Sequence, residues 1–347
     1  PKVNLFIHLA FSFIMLLLWR LYGQALLGFR NKQKALLIGS GGEMRELRTE
    51  VNNNERYNLV FSATVDLDAL SAGEAEQEIL KHLRASDVSV VVIDVHNSKV
   101  APVLPHLYTL IFSQIRFIDM HRVYEDIFDR VPLSLLQYSW FLENISLAPK
   151  QLYDLLKRLM DIVLASILGT FSLIVYPFVV VAIKLNDRGP IFFWQERIGE
   201  HNVVFNIVKF RTMSVVPEGD LSLASDSGDR VTRVGRFLRA SRIDEVPQLF
   251  NVLRGDLSLI GPRPEAPELA ALYHDEVPYY NIRNLIKPGL SGWAQIYHDE
   301  HPHHGVNVGE TKVKLSYDLY YIKNRSFMLD LKIALKTIKT LLSRSGI

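Results

Sequence analysis

Two long stretches without a charged residue constrain the fold of this chain more than any other feature. Residues 162–183 include no Asp, Glu, Lys or Arg, and neither do residues 3–19. At about 1.5 Å per residue, helices of this length span a hydrocarbon core of about 30 Å, the first one together with the apolar residues up to Phe29. We therefore expect a membrane protein. For the first stretch, the alternative is a buried helix of a soluble domain.

The charges that flank the first stretch predict its orientation. Arg20, Arg30, Lys32 and Lys34 follow it, and basic residues mark the cytoplasmic side of a membrane segment. We expect residues 1–30 to form a transmembrane helix with its C-terminal end in the cytoplasm. Because the chain opens on Pro1 inside an apolar run, this helix is expected to be the last of several in a longer protein.

The second stretch has basic residues at both ends. Lys157 and Arg158 precede it, and Lys184 and Arg188 follow it. Both ends are therefore expected in the cytoplasm, which a straight span cannot achieve. Pro177 lies inside the stretch, and proline bends a helix by removing a backbone hydrogen bond. We predict a re-entrant helix over about residues 160–184, with a spanning helix as the alternative.

Composition excludes several kinds of chemistry. The chain has a net charge of +2, which gives no general affinity for nucleic acid, and it has no cysteine. Disulfides, thiol catalysis and zinc–thiolate sites are therefore excluded.

Residues 31–130 alternate short β-rich runs with helical patterns. Strands are predicted at 35–38, 59–65, 88–93 and 115–118, and helices at 43–51, 75–83 and 100–110. This alternation predicts a Rossmann-like α/β module with a parallel sheet. Its first turn, Gly39-Ser-Gly-Gly42, begins like a dinucleotide fingerprint, but Met44 replaces the third glycine, and Asp66 could contact a ribose. Nucleotide binding and a structural or regulatory role both stay open.

A connector over residues 131–150 leads to a second domain, residues 151–347, with an α+β pattern. A hairpin is predicted from 191–194 and 203–212, with its turn near Gly199, and the acidic, Ser-rich segment 214–229 is predicted to be a mobile loop. Near the C-terminus, apolar residues recur at helical spacing with lysines beside them. The stripe consists of Met328, Leu331, Leu335, Ile338 and Leu342. Such a helix can lie on an anionic membrane surface or pack on its own domain.

Adjacent carboxylates, Asp244 and Glu245, are the strongest chemical signal. Ser241 is predicted to be the N-cap of the helix that follows, and Pro247 suits its first turn. Acidic residues at a helix N-terminus often only offset the helix dipole. The arginines at every third position from Arg230 to Arg242 suggest instead that some cations face a diphosphate, the rest contacting lipid headgroups. The His-rich segment 298–304 is interpreted as a solvated loop rather than a metal site.

Seven motifs between residues 150 and 347 resemble, in order, those of the bacterial sugar transferases, the monotopic phosphoglycosyl transferases that move a sugar phosphate onto undecaprenyl phosphate. They are Lys157-Arg-Leu-Met-Asp161, Gln195-Glu-Arg-Ile-Gly199, Lys209-Phe-Arg-Thr-Met213, Ile243-Asp-Glu-Val-Pro-Gln-Leu-Phe-Asn-Val-Leu253, Gly261-Pro-Arg-Pro264, Pro288-Gly-Leu-Ser-Gly-Trp-Ala-Gln295 and Asp318-Leu-Tyr-Tyr-Ile322. The layout before them resembles the N-terminal half of the large subclass. Two features depart from the family pattern: Tyr176 stands before Pro177, where serine is usual, and the His-rich segment replaces an Asn/Gly-type continuation.

The resemblance implies a mechanism and a set of site residues. Asp244 would attack the sugar-bearing phosphate of a UDP-sugar, releasing UMP, and undecaprenyl phosphate would then take the phosphosugar. Glu245 would bind Mg²⁺. The implied substrate-binding residues are Lys209, Arg211, Arg239, Arg263 and Gln295. The residues alone do not show which carboxylate is the nucleophile.

The implied setting is the bacterial inner membrane, with the catalytic domain facing the cytoplasm, and the implied process is the first membrane step of exopolysaccharide, capsule or O-antigen synthesis. Family frequency favours a simple hexose, glucose or galactose. A homo-oligomer such as a dimer stays open. The alternatives are a nucleotide-sugar oxidoreductase or epimerase, for which Tyr153 and Lys157 have the Tyr-x-x-x-Lys spacing, and a non-catalytic sensor that uses the α/β module.

Overall fold

The computed structural model describes residues 2–19, 32–85, 88–109, 112, 115–145, 150–214, 230–297 and 307–343. These form two compact units, Pro1–Ile127 and Phe128–Ile347.

The first unit begins with an apolar helix and continues as an α/β fold. Its helices are α1 (Lys2–Leu18), α2 (Gly41–Asn53), α3 (Ala72–Ala85), α4 (Leu104–Thr109) and α5 (Met120–Phe128), the last of which ends at the unit boundary; its strands are β1 (Gln33–Gly39), β2 (Leu59–Asp66), β3 (Val90–Ile93) and β4 (Arg116–Asp119). Side chains 7–19 of α1 are all exposed, as a lipid-facing helix requires. Arg20, Arg30 and the apolar residues up to Phe29 lie outside the described residues.

The four strands form a parallel sheet in the order β2-β1-β3-β4, which confirms the predicted parallel α/β unit. The central strands are buried along their length, since all four residues of β3 and Leu36 to Ile38 of β1 are inaccessible. Strands covered on both faces need continuous apolar runs, and such runs are what predicted these strands from the sequence.

The second unit combines helices with two small sheets. Its helices are α6 (Tyr138–Asn144), α7 (Gln151–Asp187), α8 (Arg233–Ala240), α9 (Leu249–Arg254), α10 (Pro267–Glu276), α11 (Trp293–Tyr297), α12 (Val308–Asn324) and α13 (Phe327–Ser343); its strands are β5 (Phe192–Ile198), β6 (Val204–Phe210), β7 (Ser258–Ile260) and β8 (Gly289–Ser291). The strands β5 and β6 form the predicted antiparallel hairpin, with Phe192 opposite Phe210. The strands β7 and β8 pair in parallel. The predicted loop 215–229 lies outside the described residues.

The main core of this unit surrounds α12. Leu319 and Tyr321 of α12 pack with Trp293 of α11 and Ile333 of α13. The segment predicted as a connector also contributes to this core, through Val131, Leu136, Trp140 and Phe141. The core therefore fixes α11, α12 and α13 beside the β7–β8 pair.

The helix α7 contains the longer uncharged stretch. One of its faces packs on the rest of the second unit. Ala165 joins a cluster with Leu249 and Val252 of α9. Val179 and Ile183, further along α7, join another with Leu238 of α8. The opposite face is apolar and exposed, with Phe171 and Phe178 among its side chains. Among the described helices, this is the one long and apolar enough to cross a membrane, by length and composition.

The packing of α7 bears on its predicted re-entrant path. Pro177 lies inside the helix, and both halves of the helix contact the same compact unit. Both halves bury one face against that unit and leave the opposite, apolar face exposed. The re-entrant path stays a prediction, and this packing supports it.

The helix α13 has the predicted amphipathic character, with its apolar stripe facing outwards. Met328, Leu331, Leu335 and Ile338 are exposed, whereas Asp330 and Ile333 on the other face are inaccessible. Nζ of Lys332 lies 4.8 Å from the Trp293 ring centre. The helix therefore packs on its domain and still presents an apolar stripe, and contact of that stripe with a membrane surface stays a prediction.

Cysteine labelling tests the path of α7. Asp154→Cys and Leu185→Cys, each introduced into the naturally cysteine-free chain, are expected to react with a membrane-impermeant maleimide from the same, cytoplasmic side. Phe171→Cys is the control: it should stay unlabelled in membranes and react after solubilisation, because its side chain faces lipid. Labelling of residues 154 and 185 from opposite sides would show that α7 spans the bilayer.

A close backbone contact joins α8 to the end of β6. A Cβ atom on Gly235 would lie 1.9 Å from the carbonyl oxygen of Thr212. Alanine normally stabilises a helix relative to glycine by about 1 kcal/mol, but here it must push α8 away from β6. We expect Gly235→Ala to destabilise the protein by about 1–3 kcal/mol in thermal or denaturant unfolding. Gly309→Ala is the matched control, since its nearest contact would be an ordinary 3.5 Å; equal melting temperatures for the two variants would contradict this account.

Candidate functional site

The carboxylate pair lies in a 3₁₀ segment, Ile243–Gln248, between α8 and α9. The prediction that Ser241 caps the following helix is wrong. Arg242 adopts a left-handed conformation with φ of 57°, which reverses the chain between the two helices. Ser241 therefore belongs to the preceding helix, and its hydroxyl donates to the carbonyl of Phe237 at 2.8 Å. The acidic pair still begins a helical segment, as the sequence indicated.

Glu245 is held between two cations from different elements. Nζ of Lys209, on β6, and Nη2 of Arg263 each donate to Oε1 of Glu245 at 2.9 Å. Burial alone would raise the pKa of Glu245, but the charges of Arg263 and Lys209 outweigh it and hold the pKa below its usual range. Glu245 is therefore ionised at any physiological pH.

Asp244 differs sharply from its neighbour. It is 8% exposed, and its Oδ1 atom has no hydrogen-bond partner among the described residues. Burial, and then the negative charge of Glu245, raise the pKa of Asp244 to about 6, while Lys209 and Arg239 act in the opposite direction. One buried carboxylate oxygen is thus left available beside a fixed cluster of cations.

The other predicted site residues divide into those near the pair and those elsewhere. Lys209 and Arg263 contact Glu245 directly. Arg239 influences Asp244 by its charge, while its Nε donates to Oγ1 of Thr212 at 2.9 Å.

Arg211 and Gln295 have other surroundings in the described structure. The Arg211 guanidinium packs on Gly189, where a Cβ would lie 1.7 Å from its Nη1. It lines a separate cleft with Ile183 and Asn186. Oε1 of Gln295 is buried near Gly292, without a hydrogen-bond partner among the described residues.

The residues 261–264, here called the Arg263 loop, pack directly on the β8 segment. The amide of Gly261 donates to the Ser291 carbonyl, and that of Gly289 to the Pro262 carbonyl, both at 2.9 Å. A Cβ on Gly289 would lie 2.1 Å from the Gly261 nitrogen. The two glycine-containing motifs of the sequence therefore meet as a backbone-to-backbone contact, which directs Arg263 towards Glu245.

Arg197 is a residue that the sequence reasoning did not assign to the site. It lines the same cleft of about 260 Å³ as Lys209, Glu245 and Arg263. Its Nε is buried without a partner among the described residues, and burial lowers its pKa. The signal was present in the Gln195-to-Gly199 motif, because Arg197 lies two residues after Gln195 and therefore on the same face of β5, where its Nη2 donates to Oε1 of Gln195 at 2.7 Å. Cations therefore outnumber acids around this cleft, which suits an anionic ligand.

A metal ion would have few protein ligands here. Within the described ranges, no group of three or more His, Asp or Glu side chains could hold a metal ion. Magnesium in phosphate-binding enzymes commonly takes one or two carboxylates and completes its shell with phosphate oxygens and water. The unpaired Oδ1 of Asp244 beside Glu245 fits that pattern. The His-rich segment 298–304 lies outside the described residues.

The glycine turn of the α/β module is occupied by the chain's own carboxylate. The amide of Gly41, at the N-terminus of α2, donates to Oδ2 of Asp68 at 3.0 Å. Asp66, the predicted ribose contact, lies 3.8 Å from Arg45 and accepts from the amide of Asp68. The amide of Gly41 at this helix N-terminus is thus bonded within the chain, and these contacts give no support to an oxidoreductase.

Several known proteins are similar in sequence to this chain. The chain is 44% identical over 203 residues to the UDP-N-acetylgalactosamine-undecaprenyl-phosphate N-acetylgalactosaminephosphotransferase of Aeromonas hydrophila, covering 58% of this chain and 47% of that protein. It is 33% identical over 329 residues to the undecaprenyl-phosphate glucose phosphotransferase of Komagataeibacter xylinus, covering 89% and 59%.

A third relative is the UDP-glucose:undecaprenyl-phosphate glucose-1-phosphate transferase of Caulobacter vibrioides, 42% identical over 56% of this chain and 73% of that protein. The chain spans about half the length of the first two relatives. Residues 152–344, which include the carboxylate pair and all of its cations, match the family model described as bacterial sugar transferase. The chain belongs to the bacterial sugar transferase family.

Proposed function

We propose that this protein transfers a sugar 1-phosphate from a UDP-sugar to undecaprenyl phosphate and releases UMP, with Asp244 as the covalent nucleophile. The observation that carries the proposal is the contrast within the carboxylate pair. Glu245 is clamped by Lys209 and Arg263, whereas Asp244 has a buried oxygen without a partner among the described residues. The names of the relatives support the same donor and acceptor classes.

Charge repulsion opposes the approach of a carboxylate to a diphosphate, and the cations of the site offset this repulsion. Lys209, Arg263 and Arg197 line the cleft beside Glu245. At an effective dielectric constant of about 20, two unit charges 4 Å apart interact by about 4 kcal/mol. Several preorganised cations can therefore stabilise the charge that builds on the phosphate oxygens in the transition state.

The proposed reaction has two displacements at one phosphorus atom. An oxygen of Asp244 attacks the sugar-bearing phosphorus, and the bond from that phosphorus to the bridging oxygen breaks, so that UMP leaves with the bridging oxygen. A phosphate oxygen of undecaprenyl phosphate then attacks the same phosphorus. The bond to Asp244 breaks, the carboxylate is restored, and the product is undecaprenyl-diphosphate-sugar.

Magnesium is proposed as the cofactor, with Glu245 as its protein ligand. When bound, the ion supplies positive charge to the diphosphate. The side chains make a separate contribution: Lys209 and Arg263 keep Glu245 ionised, and burial keeps water from the free oxygen of Asp244.

We further propose that the reaction occurs on the cytoplasmic face of a bacterial inner membrane, at the first membrane step of polysaccharide synthesis. The exposed apolar faces of α7 and α13 support membrane contact, and the site belongs to the same compact unit. A soluble nucleotide sugar and a lipid phosphate can meet only at such an interface.

The first test is removal of the nucleophile. Purified protein in nanodiscs, given a panel of UDP-sugars, magnesium and undecaprenyl phosphate, is expected to release UMP with at least one sugar. Asp244→Asn is expected to reduce release to background, because an amide cannot attack phosphorus, whereas the exposed Asp275→Asn should match wild type. A folded Asp244→Asn protein with wild-type turnover would disprove the mechanism. Absence of UMP with every sugar nucleotide would favour the sensor alternative.

The Asp244→Asn protein is expected to be at least as stable as wild type at neutral pH. A carboxyl whose folded pKa is raised is harder to ionise in the fold than in the unfolded chain, so its ionisation lowers stability as pH rises towards 6. The amide removes this cost. Melting temperatures at pH values above and below 6 therefore serve as the folding control for the activity test.

The raised pKa also predicts a pH profile. Because the nucleophile must be ionised, kcat/KM for the UDP-sugar should rise with pH around a midpoint near 6 and level off at about pH 7.5. Raising the magnesium concentration should move the midpoint downwards, since a nearby cation favours the carboxylate. A profile that stays flat between about pH 5 and 7 would contradict the assignment of Asp244.

A further inference from the structure

The Arg263 loop is held at both ends by side chains outside the proposed catalytic set. Nζ of Lys157 donates to the carbonyl of Ile260, just before the loop, at 2.9 Å. Nη2 of Arg283 donates to the carbonyl of Arg263 itself, also at 2.9 Å. Between these points the loop is bonded to the β8 segment, as described above. A displacement of the backbone at either end therefore acts within three residues of Arg263.

Lys157 comes from the apolar helix α7, and it is bound to a buried acid on α13. Its Nζ lies 3.1 Å from Oδ2 of Asp330, which is fully inaccessible, and 3.3 Å from the hydroxyl of Tyr321. The three protons of the ammonium thus have three acceptors: Asp330, Tyr321 and the Ile260 carbonyl. One lysine consequently ties the two helices with exposed apolar faces to the start of the Arg263 loop.

Asp330 is satisfied on both of its oxygens. Oδ1 accepts from the hydroxyl of Tyr321 at 2.7 Å, and Oδ2 accepts from Tyr153 at 3.0 Å as well as from Lys157. A buried ion pair is weak evidence for stabilisation, because apolar residues of similar volume often replace it without loss. A fully bonded network fixes positions instead, and the position it fixes here is that of the Ile260 carbonyl.

We propose that Lys157 is a positioning residue for Arg263: it fixes the start of the Arg263 loop relative to α7 and α13, so that the cation opposite Glu245 is correctly placed only while these two helices are seated. This inference rests on the proposed function. It makes the chemistry at Asp244 depend on the membrane-facing helices even in the first half-reaction, in which the nucleotide sugar is soluble and no lipid substrate takes part.

The test uses a pair of substitutions that removes both charges together. Lys157→Met alone leaves an uncompensated acid in the core and is expected to disrupt folding, whereas Lys157→Met with Asp330→Leu replaces the pair by apolar side chains. Lys150→Met is the matched control, because this exposed lysine precedes the same helix and its Nζ donates to the Arg325 carbonyl at 3.2 Å. Each protein is studied at full length in nanodiscs, and its melting temperature is recorded.

Three measurements follow for each folded protein. UMP release without acceptor lipid should fall by about ten- to a hundredfold in the double variant, since a misplacement of 1 Å can have that effect. Its pH midpoint should move upwards, because a displaced Arg263 no longer offsets the negative charges at the pair. The KM for the UDP-sugar should rise. The control should match wild type in all three.

An activity-independent measurement separates this inference from the proposed function. Hydrogen exchange of a peptide covering residues 258–264 should be faster in the double variant, because the Ile260 carbonyl next to the Gly261 amide loses its bond to Lys157, and UDP binding measured by calorimetry with magnesium should weaken. If the wild-type protein releases no UMP, the proposed function fails, and exchange and UDP binding still decide the positioning role. Wild-type exchange, UDP affinity and pH midpoint in the double variant would overturn it, even if the melting temperature fell.

Discussion

The charge of Glu245 is the constraint on which the rest of the catalytic unit depends. Two adjacent carboxylates cannot both be buried without compensation, because each resists ionisation in a region of low dielectric constant and each repels the other. Lys209 and Arg263 provide the compensation, and they come from different parts of the chain. The β5–β6 hairpin, the 3₁₀ segment and the Arg263 loop must therefore all be in place before the pair can exist in its observed form.

That requirement explains the tight backbone contacts around the site. The Arg263 loop lies on the β8 segment with no space for a side chain at Gly289, and α8 lies on Thr212 with no space at Gly235. Hydrogen bonds from Lys157 and Arg283 fix the ends of the loop. Long, flexible cationic side chains become precise only when the backbone that carries them is rigid, and the glycines make that backbone approach possible.

Much of this arrangement was predictable from the sequence, and the failures have physical causes. The strands of the α/β module, the hairpin and the uncharged helix follow from local periodicity. Serine is a common N-cap residue, but the left-handed conformation of Arg242 leaves Ser241 at the end of the previous helix. No local pattern in the sequence predicts this backbone conformation. Lys209 and Arg211 are equally plausible cations in one motif; Lys209 contacts Glu245, whereas the Arg211 guanidinium packs on Gly189 and lines a separate cleft. Arg197 was missed because its role depends on a neighbouring strand. Which residues a side chain contacts depends on the tertiary structure, and the spacing of residues in a motif does not determine this.

The register of the hairpin has a consequence for the depth at which the chemistry takes place. Phe192, Phe193 and Trp194 are exposed at the start of β5, and Phe193 lies directly opposite Lys209. Tryptophan favours the headgroup layer of a bilayer, and directly opposed residues on paired strands are about 5 Å apart. If these rings rest in the headgroups, the cation that holds Glu245 lies within one strand spacing of the layer. A polyprenyl chain could then remain dissolved in the hydrocarbon while its phosphate reacts, avoiding the cost of about 0.8 kcal/mol for every methylene-sized group drawn into water.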